Sequence, residues 1–198
     1  EDKKIDEAVM TVLTAAKPEC QIVFHEDDEP LQSSLNWSSA RGEDTEYSLR
    51  WLASGDALLR RYRTDNKNQS KINIPKAVWR MLVDEQDQYL PILNQMAQAF
   101  ATNTEGGKYI AINRQLLTLP KDWVLRMNTF NEKLYCGLLK VDPTYPHLIL
   151  GGVGMNFYPE DFQLLLTTLT NRVLAEKLHE DMTAATSQPR GRVSRIKR

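Results

Sequence analysis

The sequence predicts a single α+β domain, with short mixed or antiparallel strands packed against amphipathic helices. Three observations carry this. Helical apolar stripes stand near both ends of the chain. Several short apolar runs bounded by turn residues lie between them. Strands and helices do not alternate strictly, as a parallel βαβ fold requires. The 198 residues suit one domain, with 41% hydrophobic and 8% aromatic residues to build its core.

Taken in order, Ile5, Ala8, Val9, Val12, Leu13 and Ala16 recur at spacings of three and four and predict a helix over 4–17, ended by Pro18. The apolar run 20–25 predicts a strand. Residues 25–46, rich in Ser, Asp and Glu, read as a long loop. Residues 47–52 alternate as a strand does, and Ser54, Gly55 and Asp56 supply turn chemistry. The run 57–63 reads as the returning strand of a hairpin, with a short helix as the alternative. Residues 64–71 read as a polar connection.

Pro75 suits a helical first turn, and Val78, Met81 and Leu82 form the inward stripe of the helix it opens. A second helix near Pro91 carries Tyr89, Ile92, Leu93, Met96 and Phe100 on one face, and 102–107 breaks it. Strands are predicted at 108–112, 123–127, 133–141 and 147–152, with Pro143 and Pro146 bracketing the last turn. The glycine-rich stretch 151–156 reads as a tight turn. The firmest element is the last helix. Pro159, Glu160 and Asp161 occupy its first turn, where the helix dipole favours negative charge. Phe162, Leu165, Leu166, Leu169, Val173 and Leu178 form its stripe, which fades after Thr183. These limits place a compact domain at 1–186 and a flexible tail at 187–198.

Several function classes find no support. No apolar run approaches the ~18 residues of a membrane span, so no membrane partner is expected. The two cysteines, Cys20 and Cys136, lie far apart and form no C-x-x-C pair, which suits reduced thiols in a cytoplasmic protein. The first residues do not resemble a secretory signal, and the start without Met suggests a piece of a longer protein. The acidic run His25, Glu26, Asp27, Asp28 and Glu29 reads as a solvated loop, because five consecutive side chains cannot converge on one ion. A magnesium-dependent nuclease built on that run is the rival reading. His25, His147 and His179 stand apart, without zinc-ligand spacing. The glycines at 151–156 lack the Lys and Ser/Thr of a phosphate loop, and Glu160 and Asp161 behind them would repel phosphate. No catalytic residue, metal or cofactor is therefore expected, and the domain reads as a non-enzyme.

The cations are more informative. The chain has 25 basic and 26 acidic residues, a net charge of −1. Yet Arg60, Arg61, Arg63, Lys67, Lys71, Lys76 and Arg80 face a single acid, Asp65, in the stretch 60–80, with Tyr62 and Trp79 interleaved. The tail holds Arg190, Arg192, Arg195, Lys197 and Arg198 and no acid. Segregated positive charge of this kind suits phosphate-backbone binding, with aromatics available to stack on an unpaired base. Two bland readings stand beside it: Trp79 as a core residue, and Lys76 with Arg80 as an ordinary solvated helix face. A protein-interaction module without DNA contact is the alternative function.

The stretches SKINIPKAVWRMLVDE (70–85), GGKYIAINRQLL (106–117) and PRGRVSRIKR (189–198) resemble the C-terminal domain of the TnsE family, the target-choosing proteins of bacterial cut-and-paste transposons. The resemblance runs the length of the chain. It implies a nucleoid-associated protein that binds DNA, favours recessed 3′ ends and recognises the sliding clamp of replication. It also implies that such a protein directs the transposase and its regulatory proteins to replicating DNA without cutting it. No catalytic residues carry across, and no clamp-binding motif is visible in this chain. The expected DNA contacts are the basic residues of 60–80 and of the tail, made to backbone rather than to base edges.

Overall fold

Period-two alternation builds the first sheet. In a computed structural model, which describes residues 21–24, 33–41, 44–65, 69–102, 113–130, 133–145 and 149–187, five strands form an antiparallel meander. They are β1 (Gln21–Phe24), β2 (Ser33–Ser38), β3 (Thr45–Trp51), β4 (Ala57–Arg63) and β5 (Gln69–Ile74). Leu35 and Trp37, then Tyr47, Leu49 and Trp51, then Ala57 and Leu59, then Ile72 and Ile74 all point to one buried face. The opposite face is polar: Asn36 lies across from Ser48, Ser48 from Arg60, and Arg60 from Lys71. The β3–β4 turn closes on Gly55, whose positive φ of 84° supplies the left-handed residue that the turn requires.

β5 runs into α1 (Lys76–Asp84), where the Lys76 backbone N–H donates to Asp56 Oδ1 at 2.9 Å. Val78, Trp79, Leu82 and Val83 are its buried face, and Trp79 meets Trp51 edge-on at 5.2 Å. α2 (Gln86–Thr102) buries Tyr89 and Leu93. A second antiparallel sheet follows, in the order β6 (Asn113–Thr118), β7 (Trp123–Phe130), β8 (Lys133–Val141) and β9 (Ile149–Phe157). Then comes the long α3 (Pro159–Ser187). Phe162, Leu165, Leu166 and Leu169 of α3 join both sheets in one core. Ring contacts tie the layers together: Tyr47 to Phe157 at 6.0 Å, Phe157 to Phe162 at 6.0 Å, and Tyr89 to Phe162 at 6.2 Å.

The α+β class and the long C-terminal helix hold, and 57–63 is a strand, not the alternative short helix. Several elements differ from the sequence reading. The expected loop 25–46 contains β2 and the start of β3, because Leu35 and Trp37 alternate with residues that face water. The last three residues of the expected connection 64–71 are strand as well: β5 begins at Gln69 and turns Lys71 outward and Ile72 inward. The stretch 151–156 is the interior of β9, not a tight turn. There Gly154 lets β9 approach β8, since a Cβ on it would lie 2.8 Å from the Leu138 carbonyl oxygen. β6 had no counterpart in the sequence reading. α3 continues to Ser187, and Leu178, expected in the core stripe, is 47% exposed. The predicted helix 4–17, Cys20, the acidic run 25–29, the strand 108–112 and residues 188–198 lie outside the described residues.

Candidate nucleic-acid interface

Strand alternation divides the basic cluster of 60–80 between two surfaces. Arg60 projects from the solvated face of the first sheet, directly across from Lys71. Arg61 and Arg63 project to the opposite side, in register with Tyr47 and Thr45. Beyond the edge of the core they line a cleft of about 250 Å³ between β3–β4 and the junction of β9 with α3. Arg61 bridges the two sheets: its Nη1 donates to the Asn156 carbonyl oxygen at 2.6 Å. Arg63 pairs with Asp65 at 2.9 Å at the outer end.

Among the described cations of the predicted set, Arg80 and Lys76 do not converge on this place. Arg80 pairs with Glu176 of α3, which also holds Arg172 at 2.9 Å, and its guanidinium lies 5.0 Å from the Trp79 ring. It serves helix packing. Lys76 is exposed beside the β3–β4 turn, its stem over Gly55. Trp79 is fully buried in the core. Lys67 and the tail residues Arg190, Arg192, Arg195, Lys197 and Arg198 lie outside the described residues.

Four residues that sequence reading did not single out complete the cleft. Tyr158 precedes α3 and stacks on Tyr135 of β8 at 5.4 Å. The Arg41 guanidinium sits 4.0 Å from the Tyr158 ring centroid and pairs with Glu160 at 3.2 Å. Lys133 Nζ donates to the Tyr158 hydroxyl at 3.3 Å. Guanidinium and ammonium groups from the β2–β3 turn, β4 and β8 thus surround one aromatic pair. Only the alternation of β8 could have marked Tyr135 in advance. Arg41 lies in the stretch read as loop, and its place depends on a contact between residues 119 apart.

At the base of the cleft lies Asp161, 1% exposed. It accepts hydrogen bonds from Ser39 Oγ at 2.8 Å, the Ala40 backbone N–H at 2.7 Å and the Tyr47 hydroxyl at 3.2 Å. Its charge also faces the N-terminal end of the α3 dipole. Burial, followed by the charge of Asp161, pushes the Tyr47 phenol well above its ordinary range, so it remains a neutral donor. Cys136 sits fully buried in the core, where burial pushes its thiol up and removes its reactivity. No group of three metal-ligating side chains occurs among the described residues. No described helix is long and apolar enough to cross a membrane. A second groove, of about 400 Å³, runs between α2 and α3 and is lined by amides and hydroxyls such as Gln86, Asn94, Gln163 and Thr167, with no charge. No family model matches the chain, and no curated protein matches it.

Proposed function

We propose that this chain is a non-catalytic DNA-binding domain that holds the sugar–phosphate backbone at the cleft between its two sheets. The observation that supports this best is the convergence of Arg41, Arg61, Arg63 and Lys133, from three separate segments, around the Tyr135–Tyr158 stack. Forked guanidinium donors and a lysine ammonium suit phosphate oxygens, and the half-buried tyrosine pair suits stacking on an unpaired base. Arg60 and Lys71, on the opposite face of the first sheet, supply a second and separate set of backbone contacts. Such contacts read the shape and position of DNA rather than its sequence. With the resemblance to TnsE-type proteins, this gives a target-selection role: recognition of recessed 3′ ends at replication sites and delivery of the transposase there. In this reading the sliding clamp and the transposase regulatory proteins are the partners of the larger protein.

The test is a fluorescence-anisotropy titration against a duplex with a recessed 3′ end and a blunt duplex, at several salt concentrations. Binding is expected to weaken linearly in log K against log salt. Each lost phosphate contact should reduce the slope by about 0.9. Arg61→Ala with Arg63→Ala should therefore flatten it by nearly two such steps. Arg61→Lys with Arg63→Lys, which keeps both charges, should restore most of it. A truncation after Gln188 measures the tail separately. Absence of binding to either duplex at low salt refutes the proposal, and a protein-interaction module becomes the reading.

A further inference from the structure

The C-terminal half of α3 leaves the domain behind. Ala175 is its last buried residue, and no side chain from Lys177 to Thr186 is buried. About three helical turns therefore project with no buried side chain among the described residues. A helix of that length is not stable in water by propensity alone. It also carries apolar surface: Leu174, Leu178 and Met182 are 52%, 47% and 60% exposed and follow one another at i, i+4, i+8. They are half of the six large apolar side chains exposed among the described residues, gathered on one ridge.

The charges beside this ridge are arranged symmetrically. Lys177 stands two residues before His179 and Asp181 two residues after it, on the same flank of the ridge. Neither makes an ion pair with a described residue. We propose that this ridge docks on the same ridge of a second copy of the chain, the two helices running antiparallel about a two-fold axis near His179. In that arrangement the two Leu178 side chains pack beside each other, with Leu174 and Met182 alternating on either side. Each Lys177 comes level with Asp181 of the second copy, so the contact is self-complementary, as an isologous interface must be. A parallel two-fold arrangement would instead put the Lys177–Asp181 flanks on opposite sides of the pair, where neither charge meets its counterpart. Ridges spaced by four residues interdigitate in the commonest class of helix packing.

The test is sedimentation equilibrium of the full chain across a concentration range, with circular dichroism to confirm folding. The expected result is a monomer–dimer equilibrium that Leu178→Asp abolishes without loss of helix signal beyond the projecting turns. Lys177→Asp alone, or Asp181→Lys alone, should weaken the dimer about tenfold, since each replaces two attractive pairs by two repulsive ones. The double swap, Lys177→Asp with Asp181→Lys, should restore it. A chain that stays monomeric up to millimolar concentration overturns the proposal. So does a dimer that survives Leu178→Asp, or a double swap that fails to rescue. Occupation of the ridge only by a different protein, with the chain itself monomeric, also overturns it.

Discussion

Replacement of Asp161 by alanine tests how the cleft is built. The carboxylate holds three donors from two other segments, and its loss leaves them without an acceptor at the base of the cleft. Ser39 and Tyr47 are buried, at 6% and 3% exposure, so their hydroxyls regain little water. Ala40 is exposed, and its N–H rehydrates easily. Two buried donors left unsatisfied cost about 1–3 kcal/mol each. Loss of the favourable dipole interaction adds roughly 0.5 kcal/mol. Release of the buried charge offsets part of this, which leaves a net destabilisation of about 3 kcal/mol, a large share of the ~5–15 kcal/mol that holds a domain together. Urea denaturation followed by tryptophan fluorescence is the assay, because Trp37 stacks on Tyr47 at 5.6 Å and reports on the site. With a slope of about 2 kcal/mol per molar, the midpoint should fall by about 1.5 M. Glu160→Gln is the reference. It breaks only the exposed pair with Arg41 and should cost at most about 1 kcal/mol. If Asp161→Ala moves the midpoint no further than Glu160→Gln does, the carboxylate is not the centre of this network.

Three further outcomes are expected. Gly154→Ala drives a Cβ to 2.7 Å from Leu139 Cδ2 and 2.8 Å from the Leu138 carbonyl oxygen, at a backbone φ of 150°; chemical denaturation should show a loss of about 2–3 kcal/mol. Arg80→Ala should destabilise the contact of α1 with α3 by about 1–2 kcal/mol in the same assay, yet leave the salt slope of DNA binding unchanged, since Arg80 is committed to Glu176 and Trp79. Burial raises the Tyr47 and Tyr89 phenols and the Cys136 thiol. Groups raised in the folded state stabilise it fully below their unfolded values and lose that contribution as pH rises. Stability should therefore fall from about pH 9, where the unfolded thiol ionises, and more steeply above about pH 10. Spectrophotometric titration should show Tyr47 and Tyr89 ionising only as the chain unfolds.

Much of the fold was legible because its signals are local. Phe162, Leu165, Leu166 and Leu169 announce the core face of α3, and the Pro159–Asp161 turn announces its start. Alternation in 47–52 and 57–63 announces a hairpin. β2 was hidden because two apolar residues among serines and an asparagine make a weak period-two signal, and only pairing with β3 gives it meaning. β9 was misread because glycines ordinarily mark turns, whereas here Gly154 admits close approach of β8. Leu178 fits a helical stripe by spacing, but spacing does not say where the core ends.

Short-range patterns establish the α+β class, the helices from Lys76 and Pro159, and the concentration of positive charge in 60–80. Those properties follow from neighbours within a few residues, through periodicity and capping. Only the tertiary structure decided which cations share a surface. A strand sends Arg60 and Arg61 to opposite faces, and a helix contact claims Arg80 for Glu176. Arg41 reaches Tyr158 because Asp161 draws the β2–β3 turn onto the start of α3. The placements of Arg80 and Arg41 depend on residues 96 to 122 positions apart, whose meeting is set by how two sheets and a helix close over one core.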